Sequence, residues 1–164
     1  MSVEFQDFSI KVQEALEEAA VQFLEEAASE LKSQAQRNTS VGRVNGGKTK
    51  GDWKHVVEEA KLEATIGNTS QNAVWEEFGT GEHALEGKGR KGGWHILIGE
   101  GEGQISQSVV DAYNMPVKHG KDGKKFAYTE GKKPKRMLHT AFEKNKAKII
   151  RRANQIFKER LDGE

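Results

Sequence analysis

The residues from Gly42 to Thr49 match the formula of a phosphate-binding loop, G-x-x-x-x-G-K-[ST], at every position. In such a loop, backbone amides and the start of a helix hold the phosphates, while the lysine neutralises them and the threonine holds magnesium. A true site follows a buried strand and opens a helix, whereas a helix-like pattern rich in alanine and glutamate precedes Gly42, and Gly51 interrupts the segment after the loop. Nucleotide binding through this loop is therefore a minor hypothesis beside that of a flexible basic loop.

Carboxylates and one imidazole cluster at Glu76, Glu77, Glu82 and His83, which are residue types that serve acid–base or metal chemistry. A metal site needs further ligands from a separate segment, and no two of the five histidines lie two, three or four residues apart. The sequence therefore predicts no catalytic, cofactor-binding or metal-binding residue, no cofactor and no enzymatic activity. A polar interface loop is the preferred interpretation of the cluster.

The segment from Lys118 to Arg136 combines eight basic residues with Phe126 and Tyr128. Cations that follow a phosphate backbone and rings that stack on bases make this mixture typical of nucleic-acid binding. An exposed hairpin whose charges keep an edge strand soluble is the competing interpretation. A nucleic-acid-binding module that uses residues 118–136 is thus the main alternative function.

The length and composition of the chain indicate its domain organisation and its surroundings. A chain of 164 residues has the length of one domain, so residues 1–164 are predicted to share one core. With 35% hydrophobic and 31% charged residues, the chain is polar for a compact monomer, which favours stabilisation by neighbouring copies. It has no cysteine, and no stretch is typical of a membrane span or a secretory signal, so we expect cytosolic synthesis and no membrane contact.

The two ends of the chain carry opposite charges. Residues 1–36 hold eight acids against two lysines, and residues 131–161 hold eleven lysines and arginines against two acids, which gives net charges near −6 and +9. Such ends favour contact within one subunit or between subunits.

Two long amphipathic helices are predicted from apolar residues that recur every three or four positions. Asp7 or Ser9 can cap the first helix, Pro134 forces an extended approach to the second, and Thr140 offers that helix a cap. The basic face of the second helix is interpreted as solvent-facing or as a partner of the acidic first helix, with nucleic acid as the lesser alternative. The first apolar stripe comprises Val12, Leu16, Ala19, Ala20, Phe23, Leu24, Ala27, Leu31 and Ala35; the second comprises Leu138, Phe142, Ile149, Ala153, Ile156, Phe157 and Leu161.

The region between the helices is predicted to be rich in β-structure. Residues 60–66 alternate between apolar and polar types up to Gly67, residues 73–78 form a further element, and residues 94–98 are a short apolar run. The dipeptide at 122–123 suits a hairpin turn before a strand at 124–129. The predicted fold is α+β, with long N-terminal and C-terminal helices packed on a small antiparallel β-sheet and with long glycine-rich loops.

The segment Asn72-Ala73-Val74-Trp75-Glu76-Glu77-Phe78-Gly79-Thr80-Gly81 resembles the Y-A-x-x-V-E-F-G-T-G signature of the tail-completion, or head-to-tail joining (neck), protein family of tailed bacteriophages. Ala73 and the five residues from Glu77 to Gly81 match it directly. The family's helix-opening segment is matched by Pro134, Leu138 and Ala141. The order of long helix, loop, motif, variable glycine-rich insertion (here 83–131, with a β-hairpin) and last helix is also similar.

The resemblance implies a non-enzymatic virion structural protein that is made in the cytoplasm of a bacterial host and placed at the neck or tail end. Members of the family form a homo-oligomeric ring, here expected to be a hexamer, that completes the tail and joins it to the head. The implied partners are further copies of the chain, the tail tube protein and the head connector or other neck proteins, with DNA passing through the ring lumen. Glu77, Phe78, Gly79, Thr80 and Gly81 are then expected to make subunit contacts.

Overall fold

The computed structural model describes residues 9–44 and 47–162 and has the predicted mixed architecture of long helices and small antiparallel sheets. The chain runs through α1 (Ser9–Asn38), α2 (Lys48–Gly51), β1 (Trp53–Glu58), β2 (Glu63–Asn68), α3 (Gln71–Phe78), β3 (Trp94–Leu97), α4 (Gln107–Ala112), β4 (Val117–His119), β5 (Lys125–Thr129) and α5 (Met137–Asp162). The strands form a two-stranded sheet, β1-β2, and a three-stranded sheet in the order β3-β5-β4.

The helices α1 and α5 pack side by side in antiparallel directions, and oppositely charged side chains join them along their length. Ion pairs link Glu18 to Arg160, Glu26 to Arg152 at 2.7 Å and Glu30 to Lys148 at 3.0 Å. As the residue number rises along α1, that of its partner falls along α5. The acidic and basic ends of the sequence therefore meet within one chain, where these pairs border the apolar contact of the two helices.

The predicted cap of α5 is wrong, whereas the prediction for the start of α1 falls only partly on described residues. Asp7 lies outside the described residues, and Ser9 is already helical. Thr140 is not the cap of α5, because the helix begins at Met137 and the Thr140 amide donates to the Arg136 carbonyl at 2.8 Å inside the first turn. The cap of α5 comes from a distant part of the chain.

A hairpin of β1 and β2 follows the short helix α2, with Trp53 opposite Asn68 and Glu58 opposite Glu63. The sequence predicted a strand over residues 60–66, but the strand begins only at Glu63, because residues 59–61 form a single 3-10 turn. Strand β1 was not predicted. It alternates buried or half-buried residues with exposed ones, but the exposed set includes Val56 and the half-buried set includes His55. The alternation of apolar and polar residue types that marks a strand is therefore not visible in the sequence.

The core cluster draws on α1, β1, α3 and α5. It consists of Leu31, Ala35, Trp53, Ala73, Met137 and Ala141, with Ile66, Leu138 and Ile149 packed against it. The indole nitrogen of Trp53 donates a 2.9 Å hydrogen bond to the hydroxyl of Thr39, which is itself buried. A buried indole needs such an acceptor, so Thr39 completes the core at the end of α1.

Residues 73–78 are helical, contrary to the β-rich middle that the sequence indicated. They belong to α3, which buries Ala73 and Glu76 on one side. With eight residues, the helix is too short for its period to stand out in the sequence.

The predicted insertion, residues 83–131, contains the three-stranded sheet. The hairpin prediction is confirmed, since β4 and β5 pair antiparallel around a turn in which Gly123 has a φ of +79°. Strand β5 also pairs with β3, so that Trp94 faces Thr129 and Leu97 faces Phe126. The helix α4, which the sequence did not predict, buries Val110. Across the described residues, no helix has the length and apolar character needed to cross a membrane.

Candidate functional site

The glycine that ends α3 adopts a backbone conformation that only glycine tolerates well. Gly79 has φ 73° and ψ 175°, and its amide donates to the Trp75 carbonyl at 2.9 Å. A Cβ at this position would lie 2.7 Å from the His83 carbonyl oxygen and 2.9 Å from the Lys132 carbonyl oxygen. Gly79 therefore lets the chain turn directly from the helix onto the segment that precedes α5.

Thr80 and Gly81 pair with the segment 130–132. The Thr80 amide donates to the Lys132 carbonyl, and the Lys132 amide donates to the Thr80 hydroxyl, both at 2.9 Å. Gly81 is buried, with φ +58°, and an added Cβ would lie 2.3 Å from the Glu130 carbonyl oxygen and 2.6 Å from the Trp94 ring. The second glycine of the motif thus allows close contact with β3 and with the segment after β5.

Glu77 caps the start of α5. Its two carboxylate oxygens accept hydrogen bonds from the amides of Leu138, at 2.9 Å, and His139, at 3.0 Å. The first amides of a helix have no partner within the helix and carry the positive end of its dipole, so a carboxylate there is doubly favourable. Glu77, which lies 61 positions before Leu138 in the sequence, therefore acts as the N-cap of α5.

Glu76 is a buried carboxylate held by two lysines. Its Oε1 accepts from Lys132 Nζ at 2.6 Å and from Lys135 Nζ at 3.3 Å, and its backbone carbonyl accepts from the Lys135 amide. Burial alone would raise the pKa of Glu76, but hydrogen bonds and charge from Lys132 and Lys135 lower that pKa below its ordinary value. The side chain is thus an anion that fixes the approach to α5.

The residues that the resemblance assigns to the opening of the last helix lie at the start of α5, across from the end of α3. The Pro134 ring lies against Gly79, Leu138 packs against the core, and Ala141 is fully buried. We refer to residues 76–81 together with residues 130–139 as the motif clamp. The two separate segments that carry the family resemblance form this one structural unit.

No known protein family has a model that matches this chain, and no curated protein and no solved structure matches it either. The candidate site therefore has to be judged by its own geometry.

The outer face of α3 is apolar and exposed. Val74, Trp75 and Phe78 retain 53%, 45% and 57% of their accessible surface, while Ala73 and Glu76 on the opposite side are buried. A helix turns by about 100° per residue, so the three apolar side chains share one face. Phe78 is thus the residue of the Glu-Phe-Gly-Thr-Gly motif that points away from the clamp, whereas Glu77, Gly79, Thr80 and Gly81 make contacts within the chain.

The carboxylate and imidazole cluster does not converge on one point. Glu76 binds lysines, Glu77 caps α5, and Glu82 accepts from the Gly92 amide at 2.7 Å. Over residues 9–44 and 47–162, no group of three or more aspartate, glutamate or histidine side chains is arranged to hold a metal ion.

The loop that resembles a phosphate-binding site lacks the surroundings of one. It follows α1, a helix, and leads into the four-residue helix α2, while Asn45 and Gly46 lie outside the described residues. The Thr49 hydroxyl lies 3.2 Å from the Ser70 hydroxyl and accepts a hydrogen bond from the side-chain Nδ2 of Asn72. This part of the loop ties α2 to the start of α3.

The basic segment 118–136 divides into two parts. Lys132 and Lys135 belong to the motif clamp through Glu76, whereas the lysines of β4, β5 and their turn remain at the surface. Sequence reasoning treated the segment as one patch because it could not show which lysines have a buried partner.

Proposed function

We propose that this chain is a non-enzymatic structural subunit of a tailed phage or a related particle, which self-associates into a ring at the head-to-tail interface. The ring completes the tail and joins it to the head connector. The chain is made in the cytoplasm of the bacterial host and ends in the neck of the virion. The observation that carries the proposal is the exposed apolar face of α3, formed by Val74, Trp75 and Phe78 within the motif that resembles the neck family.

The motif clamp supports the resemblance on which the proposal draws. Residues 72–81 and 133–142 separately resemble two motifs of the family, and they meet through the Glu77 cap, the Thr80 pairing and the close packing of Gly79 on Pro134. Every residue that agrees directly with the signature, except Phe78, then has an internal role. A subunit that meets neighbours of fixed geometry needs such a rigid base for its contact face.

The size of the α3 face fits the centre of a subunit contact. A fully exposed aromatic side chain offers ~200 Å², so Trp75 and Phe78 at 45% and 57% exposure present roughly 200 Å² between them. Burying that area would contribute about 5 kcal/mol. A stable interface buries about 800 Å² on each partner, so a wider polar rim must surround this centre.

Charged side chains on the two long helices could supply part of that rim. Glu14 and Glu17 on α1, and Lys144, Lys146 and Lys158 on α5, are exposed and form no ion pair within the described part of the chain. Opposite charges on the outer surfaces of the two helices therefore favour contact between copies. Unlike surfaces that meet head to tail generate a ring when the rotation closes.

The first test compares self-association of two double variants by native mass spectrometry and light scattering. Trp75→Ala with Phe78→Ala should weaken association at least tenfold, because it removes the apolar centre of the contact. Val41→Ala with Val56→Ala, which truncates two exposed apolar residues outside α1, α3 and α5, should leave association unchanged. Equal losses in both variants would contradict the assignment of the α3 face.

The deciding test is electron microscopy of particles made without this chain. Tails should lack a finished end and should fail to join heads, and the wild-type chain, but not the Trp75→Ala/Phe78→Ala variant, should restore joining. Finished tails bound to heads in the absence of the chain would refute the proposed function. A purified chain that stays monomeric would not replace this test, because a ring of this kind can form only when its subunits bind their partner.

A further inference from the structure

The three-stranded sheet has one face packed on the protein and one face turned outward. Residues opposite each other on paired antiparallel strands share a face, so Trp94, Ala127 and Thr129 lie on one side. Ala127 is fully buried, and the Trp94 ring contacts Gly81 in the motif clamp. The other side therefore faces outward.

The outward face carries three rings and a lysine. His95 lies opposite Tyr128, with ring centroids 5.3 Å apart, and Phe126 lies opposite both Leu97 and Lys118. His95 and Lys118 are exposed, while Phe126 and Tyr128 are half-buried. A depression of about 240 Å³ opens here, lined by His95, Lys118, His119, Gly120 and Phe126. The depression thus combines the Phe126 ring with the ammonium group of Lys118 and two imidazoles, and the Tyr128 ring beside it is tilted by 56° to that of His95.

Cations border this face at the end where β4 turns into β5. Lys118, on the outward face, and Lys121, in the turn, are exposed, and neither pairs with a carboxylate among the described residues. Lys125 is also exposed, but it lies opposite His119 and shares the packed face with Ala127. Asp122 in the same turn is paired with Lys124 at 3.0 Å, and this contact holds the pKa of Asp122 below its ordinary value. The acidic loop at 99–103 leaves β3 at this same end, where the Ile98 amide donates to the Lys125 carbonyl, but β5 separates the loop from β4. The positive charge is therefore concentrated on β4 and its turn.

We propose that the outward face of the three-stranded sheet binds single-stranded nucleic acid. Unpaired bases stack on the rings of Phe126, Tyr128 and His95, and the phosphates lie along Lys118 and Lys121. The rings favour a single strand, because the bases of a duplex are stacked on each other and cannot reach them. This proposal is independent of the ring function: it needs one sheet of one chain and no self-association.

The test measures the anisotropy of a fluorescent oligothymidylate of about 20 nucleotides, a length that exceeds typical site sizes, titrated with the full chain. Replacing Lys118 and Lys121 with alanine should weaken binding at least fivefold and flatten its salt dependence. Two phosphate contacts predict that binding of the wild-type chain weakens roughly sevenfold between 50 and 200 mM salt.

The matched control removes the same charge from another basic surface. Lys144 and Lys146 on α5 are also exposed and also lack an ion-pair partner in the described chain. Replacing these two with alanine should change affinity less than threefold, a limit set by loss of long-range attraction alone. If both double variants lose affinity equally, general charge attraction explains the binding and the sheet site is refuted.

Stacking is tested separately by His95→Ala, at an exposed position, and by Phe126→Leu, which keeps an apolar side chain. Each should weaken binding at least fivefold while circular dichroism and melting temperature stay near the wild-type values. His95→Ala carries the test if Phe126→Leu does not fold. A duplex of the same length should bind at least tenfold more weakly, and an oligouridylate arm distinguishes RNA from DNA. Equal binding of duplex and single strand, or no binding of oligothymidylate, would overturn the proposal.

Discussion

Replacing Glu77 with alanine should destabilise the fold by removing the cap of α5. The carboxylate satisfies the amides of Leu138 and His139 and opposes the positive end of the helix dipole. Loss of an N-cap costs about 0.5–2 kcal/mol, and loss of a charge at the dipole costs a further 0.3–1 kcal/mol or so. The expected loss is therefore about 2 kcal/mol, which lowers the melting temperature by roughly 4–8 °C for a domain of this size.

The assay is urea unfolding followed by circular dichroism, with amide hydrogen exchange as a local readout. Glu77→Gln keeps one carbonyl oxygen but loses the charge and the second acceptor, so it should cost about half as much as Glu77→Ala. The control is Glu143→Ala, an exposed glutamate on α5, which should change the unfolding free energy by less than about 0.5 kcal/mol.

Hydrogen exchange separates a cap from a general packing effect. In Glu77→Ala the amides of Leu138 and His139 should exchange faster, and those near the end of α5 should follow only the global loss of stability. A Glu77→Ala protein as stable as the control, or one whose first-turn amides stay protected, would refute the assignment of Glu77 as the cap.

Two further predictions concern the motif glycine and acid stability. Gly79→Ala should lower the free energy of unfolding in urea by about 2–4 kcal/mol, through backbone strain and contact of the new Cβ with two carbonyl oxygens. The control Gly87→Ala, at positive φ but in open space, should lower it by only about 1 kcal/mol. Equal losses in the two variants would show that packing around Gly79 is not the cause. Hydrogen bonds from Arg152 lower the pKa of Glu26 from 4.5 to about 2, so this pair stabilises the fold above pH 4.5 and its contribution is lost as the pH falls towards 2. Melting temperatures should therefore fall less steeply over that range in Glu26→Gln than in a Glu14→Gln control, and identical slopes would contradict this.

The long helices could be predicted because their apolar residues repeat over many turns. Each of α1 and α5 exceeds 25 residues, so chance agreement with a helical period is small. The opposite charges of the two ends correctly indicated a contact. Charge alone left open whether the contact joins two copies, and the pairs from Glu18, Glu26 and Glu30 place it within one chain.

The short elements could not be predicted with the same success, for physical reasons. Helix α3 has about two turns, and its exposed face is as apolar as a buried one, so polarity gives no helical signal. The sequence predicts Thr140 as the cap of α5, because capping rules consider only residues close to the helix start in the sequence. Glu77 reaches the same amides through the tertiary fold, and only the position of α3 beside α5 makes that possible.

Some residues of the motif hold the fold and others face outward, so variants of the two groups test different properties. Gly79 and Glu77 act within the chain, so a Gly79 variant that fails to assemble shows only that its fold is damaged. Trp75 and Phe78 are about half exposed and lie on the face opposite Ala73 and Glu76. A Trp75→Ala/Phe78→Ala protein with wild-type stability and impaired assembly would therefore locate a contact surface. Unimpaired assembly by that variant would instead confine the motif to an internal role, and the charged outer faces of α1 and α5 would be the next surfaces to test.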